Sequence, residues 1–181
     1  MVLYKSEIKA MKEQIEHTLR AIAGMPMWSI GRAADLEWFH FGAQRVVTTH
    51  KGGIKTVGDY ALHVQCAWRI IGPNGIVVAS RDRYYPARGH LDEDLSQFDW
   101  DKPGVNRCDE QVSIFLGKHT ETPLVVEAVE ADSVGGFQIT LSRGYALQIF
   151  PDHSSDGEYW RLFQPSMEQE HFVVTGHGIE T

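Results

Sequence analysis

In the stretch YALHVQCAWRI, residues 60–70, His63, Gln65 and Arg69 occupy one phase of an alternating pattern. All three have side chains suited to ligand binding or proton handling. The other phase, Tyr60, Leu62, Val64, Cys66, Trp68 and Ile70, is apolar or soft. A period of two puts the sets on opposite faces of a strand, one toward a core and one outward. Gly72-Pro73-Asn74-Gly75 follows and predicts a hairpin, with Pro73 early in a type I turn and Gly75 at a left-handed bulge position. That loop sets Arg69 opposite Ala79, Ala67 opposite Arg81 and Gln65 opposite Arg83. The outward face is then expected to gather His63, Gln65, Arg69, Arg81 and Arg83. Arginine's planar fork fits carboxylates and phosphates, so the chemistry expected there is anion binding. The competing reading is a solvated outer face, ordinary in antiparallel sheet. The same register puts Asp82 beside Cys66 on the apolar face, where a carboxylate needs a partner.

A second group lies in PARGHLDEDLSQFDWDKPGVNR, residues 86–107, which is acidic and rich in turn formers. It reads as a long surface excursion. Asp92, Glu93 and Asp94 with Phe98 and Trp100 are candidates for an interface with a basic partner, because aromatic anchors supply affinity and charge supplies steering.

Catalytic chemistry is less well supplied. Glu37, Asp82, Asp109, Glu110 and Glu127 are the carboxylate candidates for acid–base work, and no spacing gives any of them a role. Phosphate-loop, dinucleotide-turn, nucleophile-elbow and zinc-helix motifs are absent. His171 and His177, and the loop residues Asp152, His153, Asp156 and Glu158, match no defined ligand pattern, so neither a metal nor a cofactor is expected. Cys66 and Cys108 belong to no C-x-x-C pair, and Cys66 is expected to pack in the core.

These residues need a scaffold. Ile8, Met11, Ile15, Leu19 and Ile22 form one helical stripe across Lys5 to Ala23, with Ser6 as a cap and Gly24 and Pro26 as the stop. Strands are expected over Met27–Ile30, Leu36–Phe41, Arg45–His50, Asp59–Ile71 and Ile76–Arg83. A short helix follows at Asp109–Gly117. Further strands are expected over Leu124–Glu130, Gly136–Ser142, Tyr145–Phe150, Glu158–Phe163 and His171–Thr175. Short turns between strands imply antiparallel meanders. The expected class is α+β: mainly antiparallel β-sheet with an N-terminal amphipathic helix and one short central helix, in a single domain spanning 1–181.

The chain has 181 residues, 17 basic and 24 acidic, for a net charge of −7. That balance disfavours nucleic acid and anionic membranes as partners. No apolar run reaches the length of a membrane span, and the N-terminus has no signal-peptide core, so a cytoplasmic location is expected.

At YALHVQCAWRI, SRDRYY, GEYWRLFQP and HFVVTGHGI the chain resembles a group of bacterial hypothetical proteins, over nearly its whole length. The group has no assigned activity, so the resemblance implies no catalytic residue. In its short, acidic, single-domain character the chain is also similar to immunity proteins that neutralise bacterial toxins. The leading expectation is therefore a non-catalytic binding protein with a basic protein partner. The rivals are a small-anion binder or enzyme built on the 60–83 hairpin, and a structural homodimer.

Overall fold

The computed structural model describes residues 2–49, 51–91 and 95–180, with side chains from Ala10 onward except Leu95. Asp92, Glu93 and Asp94 lie outside the described residues.

Helix α1 (Val2–Leu19) runs into a 3-10 turn at Arg20–Ile22. It starts ahead of Ser6, which sits within the helix instead of capping it. Ile15, Leu19 and Ile22 are fully buried and Met11 packs against the core, so this part of the expected stripe faces inward; the Ile8 side chain lies outside the described ones. Each such aliphatic contributes about 1.5–3 kcal/mol by leaving water. Gly24, at a φ of 77°, turns the chain away. Its N–H then donates to Val126 O (2.9 Å), and Glu16 Oε1 accepts from Ala131 N (3.1 Å), docking the helix on the sheet.

The strands are β1 (Pro26–Ala33), β2 (Leu36–Phe41), β3 (Arg45–Thr48), β4 (Ile54–Val57), β5 (Tyr60–Val64), β6 (Ala67–Gly72), β7 (Gly75–Ala79), β8 (Leu124–Ala131), β9 (Phe137–Leu141), β10 (Tyr145–Phe150), β11 (Glu158–Phe163), β12 (Phe172–Thr175) and β13 (Gly178–Glu180). Helix α2 (Arg107–His119) precedes β8. β3 and β4 form a hairpin of their own; the other eleven make one sheet in the order β13-β12-β11-β5-β2-β1-β8-β9-β10-β6-β7. Every pairing is antiparallel. The protein is α+β and mostly sheet.

This sheet folds over on itself. Phe39 on β2 meets Trp68 on β6 edge-on at 5.3 Å, and Phe137 on β9 meets Trp160 on β11 at 4.8 Å, although neither pair of strands is adjacent. Trp68 and Trp160 are fully buried between the facing halves. α2 adds Cys108, Val112 and Phe115 to this core and packs against β1 and β7.

The expected long strand Asp59–Ile71 is two strands, parted at Gln65–Cys66. β5 pairs with β2 and β11, whereas β6 pairs with β10 and β7. One straight strand cannot serve both halves, so the chain bends between them. Two donors flanking the bend are met: Gln65 N donates to Tyr159 O (2.8 Å) and Ala67 N to Asp152 Oδ1 (3.1 Å). Val64, Cys66 and Trp68 all stay buried through it, so the sequence alternation runs on unbroken.

Candidate functional site

The hairpin turn holds the expected pairing, with Arg69 opposite Ala79 and Gly75 at a φ of 123°. Beyond Ala79, however, the strand stops. Ser80 Oγ accepts the Trp68 N–H (3.3 Å) and Asp82 Oδ2 accepts the Ala79 N–H (2.9 Å), and Ser80–Tyr84 coils into a 3-10 turn. Side-chain oxygens thus replace the partners a continuing strand would need. Asp82 is consequently not a buried strand residue beside Cys66; it caps the turn and stands 3.5 Å from Arg107 Nε.

His63, Gln65, Arg69, Arg81 and Arg83 therefore do not share one face. His63 lies on the outer face of β5, across from Trp38 and Arg161. Phe163 meets it edge-on at 4.8 Å and itself stacks on His171 at 4.2 Å. Trp38 closes the other side over Gly31, where a Cβ would come within 2.6 Å of its ring. Burial, then the charge of Arg161, pushes His63 down to about 4. Arg69 is on the outer face of β6. Arg81 is exposed, whereas Arg83 is buried and points inward.

Gln65, Arg81 and Arg83 do meet in a cleft of about 240 Å³, with Asp35, Tyr84 and Asp152. Behind it Arg83 Nη2 stands 3.8 Å from Glu37 Oε2, and Arg83 Nε donates to Ser80 O (2.7 Å). Glu37 projects inward from β2 and is 1% exposed. Burial pushes its carboxyl up to about 8, against the pull of Arg83.

The excursion is anchored from the same side. Its ends are tied by Ala87 N to Val105 O (2.8 Å) and Arg107 N to Tyr85 O (2.7 Å). Arg32 on β1 donates to both carboxylate oxygens of Asp109 (2.7 and 2.9 Å), to Asp101 Oδ1 (3.0 Å) and to the carbonyl of Trp100 (3.3 Å). Asn106 caps α2 through Asp109 N (2.8 Å) and also donates to Trp100 O (2.8 Å). Burial raises Asp109, but the Arg32 bonds and the Gly104 N–H outweigh it and hold the carboxyl below its ordinary range.

The result is an aromatic platform on fixed backbone. Tyr84 and Trp100 touch edge-on at 5.5 Å, and Tyr84 and Tyr85 are 51% and 59% exposed. Phe98 is half-buried, the exposed Asp99 and Asp101 flank Trp100 in the chain, and the exposed Asp35 lines the cleft with Tyr84. The sequence pattern points to Trp100 and Phe98 as surface aromatics but not to the two tyrosines. The signal for them is the unpaired apolar character of Tyr84-Tyr85 immediately before Pro86.

Nucleophilic chemistry finds little support. Burial pushes both thiols up, Cys66 to about 12. The His153 Nδ1 contact with Ser155 Oγ (2.9 Å) is a two-residue turn contact on an exposed loop. Among the described residues no cluster of three or more His, Cys, Asp or Glu is placed to hold a metal ion, and no helix is long and apolar enough to cross a membrane.

No protein-family model matches the chain, and no curated protein or solved structure matches it.

Proposed function

We propose that this chain is a non-catalytic binding protein that engages a basic protein partner through the platform of Tyr84, Tyr85 and Trp100. The observation that carries the reading is the exposure of both tyrosines on backbone held by the Tyr85 N–H to Asp82 O and the Arg107 N–H to Tyr85 O, beside a Trp100 whose carbonyl Arg32 and Asn106 hold. Large aromatic side chains on backbone ordered before contact leave less to be ordered on binding, which is the character of an energetic hot spot. Asp35, Asp99 and Asp101 around them, with a net charge of −7, favour a partner of opposite sign. In the bacterial setting that the sequence resemblance implies, an immunity-type inhibitor covering a cytoplasmic toxin's basic surface is the specific form of this proposal.

A two-hybrid screen of the source organism's own open reading frames tests it, with the wild type and a Tyr84→Ala/Trp100→Ala variant as parallel baits. The proposal expects a basic protein recovered by the wild type and lost with the variant. Equal recovery by both baits, or no basic partner, contradicts it.

A further inference from the structure

We propose that Arg69 anchors a second site, on the outer face of the sheet, for a small organic monocarboxylate. Arg69, Gln148, Gln138 and Glu130 are register neighbours on β6, β10, β9 and β8. The first three side chains form a directed row. Arg69 Nε donates to Gln148 Oε1 (2.6 Å), and Gln148 Nε2 donates to Gln138 Oε1 (2.6 Å). The two bonds fix both amides and the guanidinium plane. The terminal nitrogens of Arg69, its bidentate edge, have no protein acceptor among the described residues.

The surroundings leave room at that edge. On one side the next register row is Ala128, Thr140, Ala146 and Ile71, mostly small residues. On the other, Ala67 stands opposite Phe150, whose ring lies 5.5 Å from the Arg69 guanidinium carbon and is 39% exposed. The row thus runs along a trough of about 460 Å³ that Arg69, Gln138, Gln148 and Phe150 line together. A carboxylate in the guanidinium plane gains two charge-assisted bonds, and the body behind it has Phe150 to rest on and amide N–H groups to meet.

The far end of the trough restricts the ligand's charge. Glu130 and Asp132 line it too. Glu130 is three strand spacings from Arg69, roughly 14 Å. A single negative charge at the Arg69 end is favoured, and a second one along the trough is repelled.

Ligand-observed NMR of the intact protein tests the site with 3-phenylpropionate, N-acetylglycine and hippurate, each against its primary amide, and with inorganic phosphate. At least one carboxylate is expected to bind about tenfold or more tightly than its amide and than phosphate. Backbone signals of 67–69, 138 and 148–150 should move with it. Arg69→Gln should abolish binding, and so should Gln148→Glu, which keeps Arg69 but supplies it with an internal carboxylate. Both changes are on the outer face and are expected to leave the melting temperature close to wild type. No binding by any of the three carboxylates, equal binding of acid and amide, preference for phosphate, or binding retained in a folded Arg69→Gln or Gln148→Glu variant overturns the proposal.

Discussion

Arg32 and Asp109 share two parallel hydrogen bonds, 2.7 and 2.9 Å, that join the first strand to the start of the second helix across 77 residues of chain. The same guanidinium holds the Trp100 carbonyl, so this one side chain links the sheet, α2 and the aromatic platform. Arg32→Ala should cost about 2–4 kcal/mol, because it leaves a partly buried carboxylate without its cation. Arg32→Lys should recover only part of this, since a lysine cannot make the bidentate pair. Denaturant unfolding of the three proteins checks both statements; a loss near zero for the alanine variant would show the linkage to be incidental.

Glu37 gives stability a slope in pH. Its carboxyl is raised to about 8 in the folded protein against an ordinary value near 4.5. The folded state therefore keeps a proton that the unfolded chain releases, so stability from this group is greatest below about 4.5 and is lost as pH rises toward 8. The loss amounts to a few kcal/mol, at about 1.4 kcal/mol for each tenfold change in proton affinity. Glu37→Gln resembles the protonated form. It should match the wild type near pH 4 and exceed it near pH 8, read from urea midpoints at each pH. Parallel profiles for the two proteins would refute the assignment.

His63 acts in the opposite sense. Its folded value is lowered to about 4 from an ordinary 6.5 by burial and by Arg161. The unfolded chain takes up the proton first, so stability is intact above about 6.5 and falls as pH drops toward 4. His63→Gln should flatten this acid limb and leave the Glu37 slope in place. NMR titration of the His63 ring gives the independent check: a midpoint near 6.5 in the folded protein would exclude the lowered value.

Trp68 and Trp160 are equally buried but differently bonded. Alanine at either position should cost about 3–5 kcal/mol. Phenylalanine should separate them. Trp160 Nε1 donates to Gly135 O (2.7 Å), whereas Trp68 Nε1 has no partner among the described residues. Trp160→Phe therefore strands a buried carbonyl, adding about 1–3 kcal/mol to its packing loss. Thermal melts that rank Trp68→Phe as the more damaging change would contradict this difference.

Much of the scaffold is legible in the residues themselves. β2, β10 and β11 have the expected bounds because turn formers flank each aromatic-rich and aliphatic-rich run: Asp35 and Gly42, Gly144 and Pro151, Gly157 and Pro165. The Gly75 turn and the Arg69–Ala79 pairing follow from turn chemistry. The candidate site is less accessible, for three physical reasons. The bend at Gln65–Cys66 preserves the alternation of buried residues, so a one-dimensional pattern gives no sign of it. Ser80 and Asp82 end β7 by bonding backbone N–H groups, a local competition that outweighs the β-pattern of the following residues and separates Arg81 and Arg83 from Arg69. The role of Arg32 depends on partners 68 and 77 positions away, which no spacing rule connects.

The central claim is that Tyr84 and Trp100 supply the binding energy for a basic partner, and the affinity of a Tyr84→Ala/Trp100→Ala variant for that partner tests it most directly. Each hot-spot truncation costs about 2 kcal/mol or more, so the double variant should bind at least about a hundredfold more weakly by titration calorimetry, with an unchanged melting temperature. An affinity within a factor of about two of wild type, in a variant that remains folded, would place the interface elsewhere.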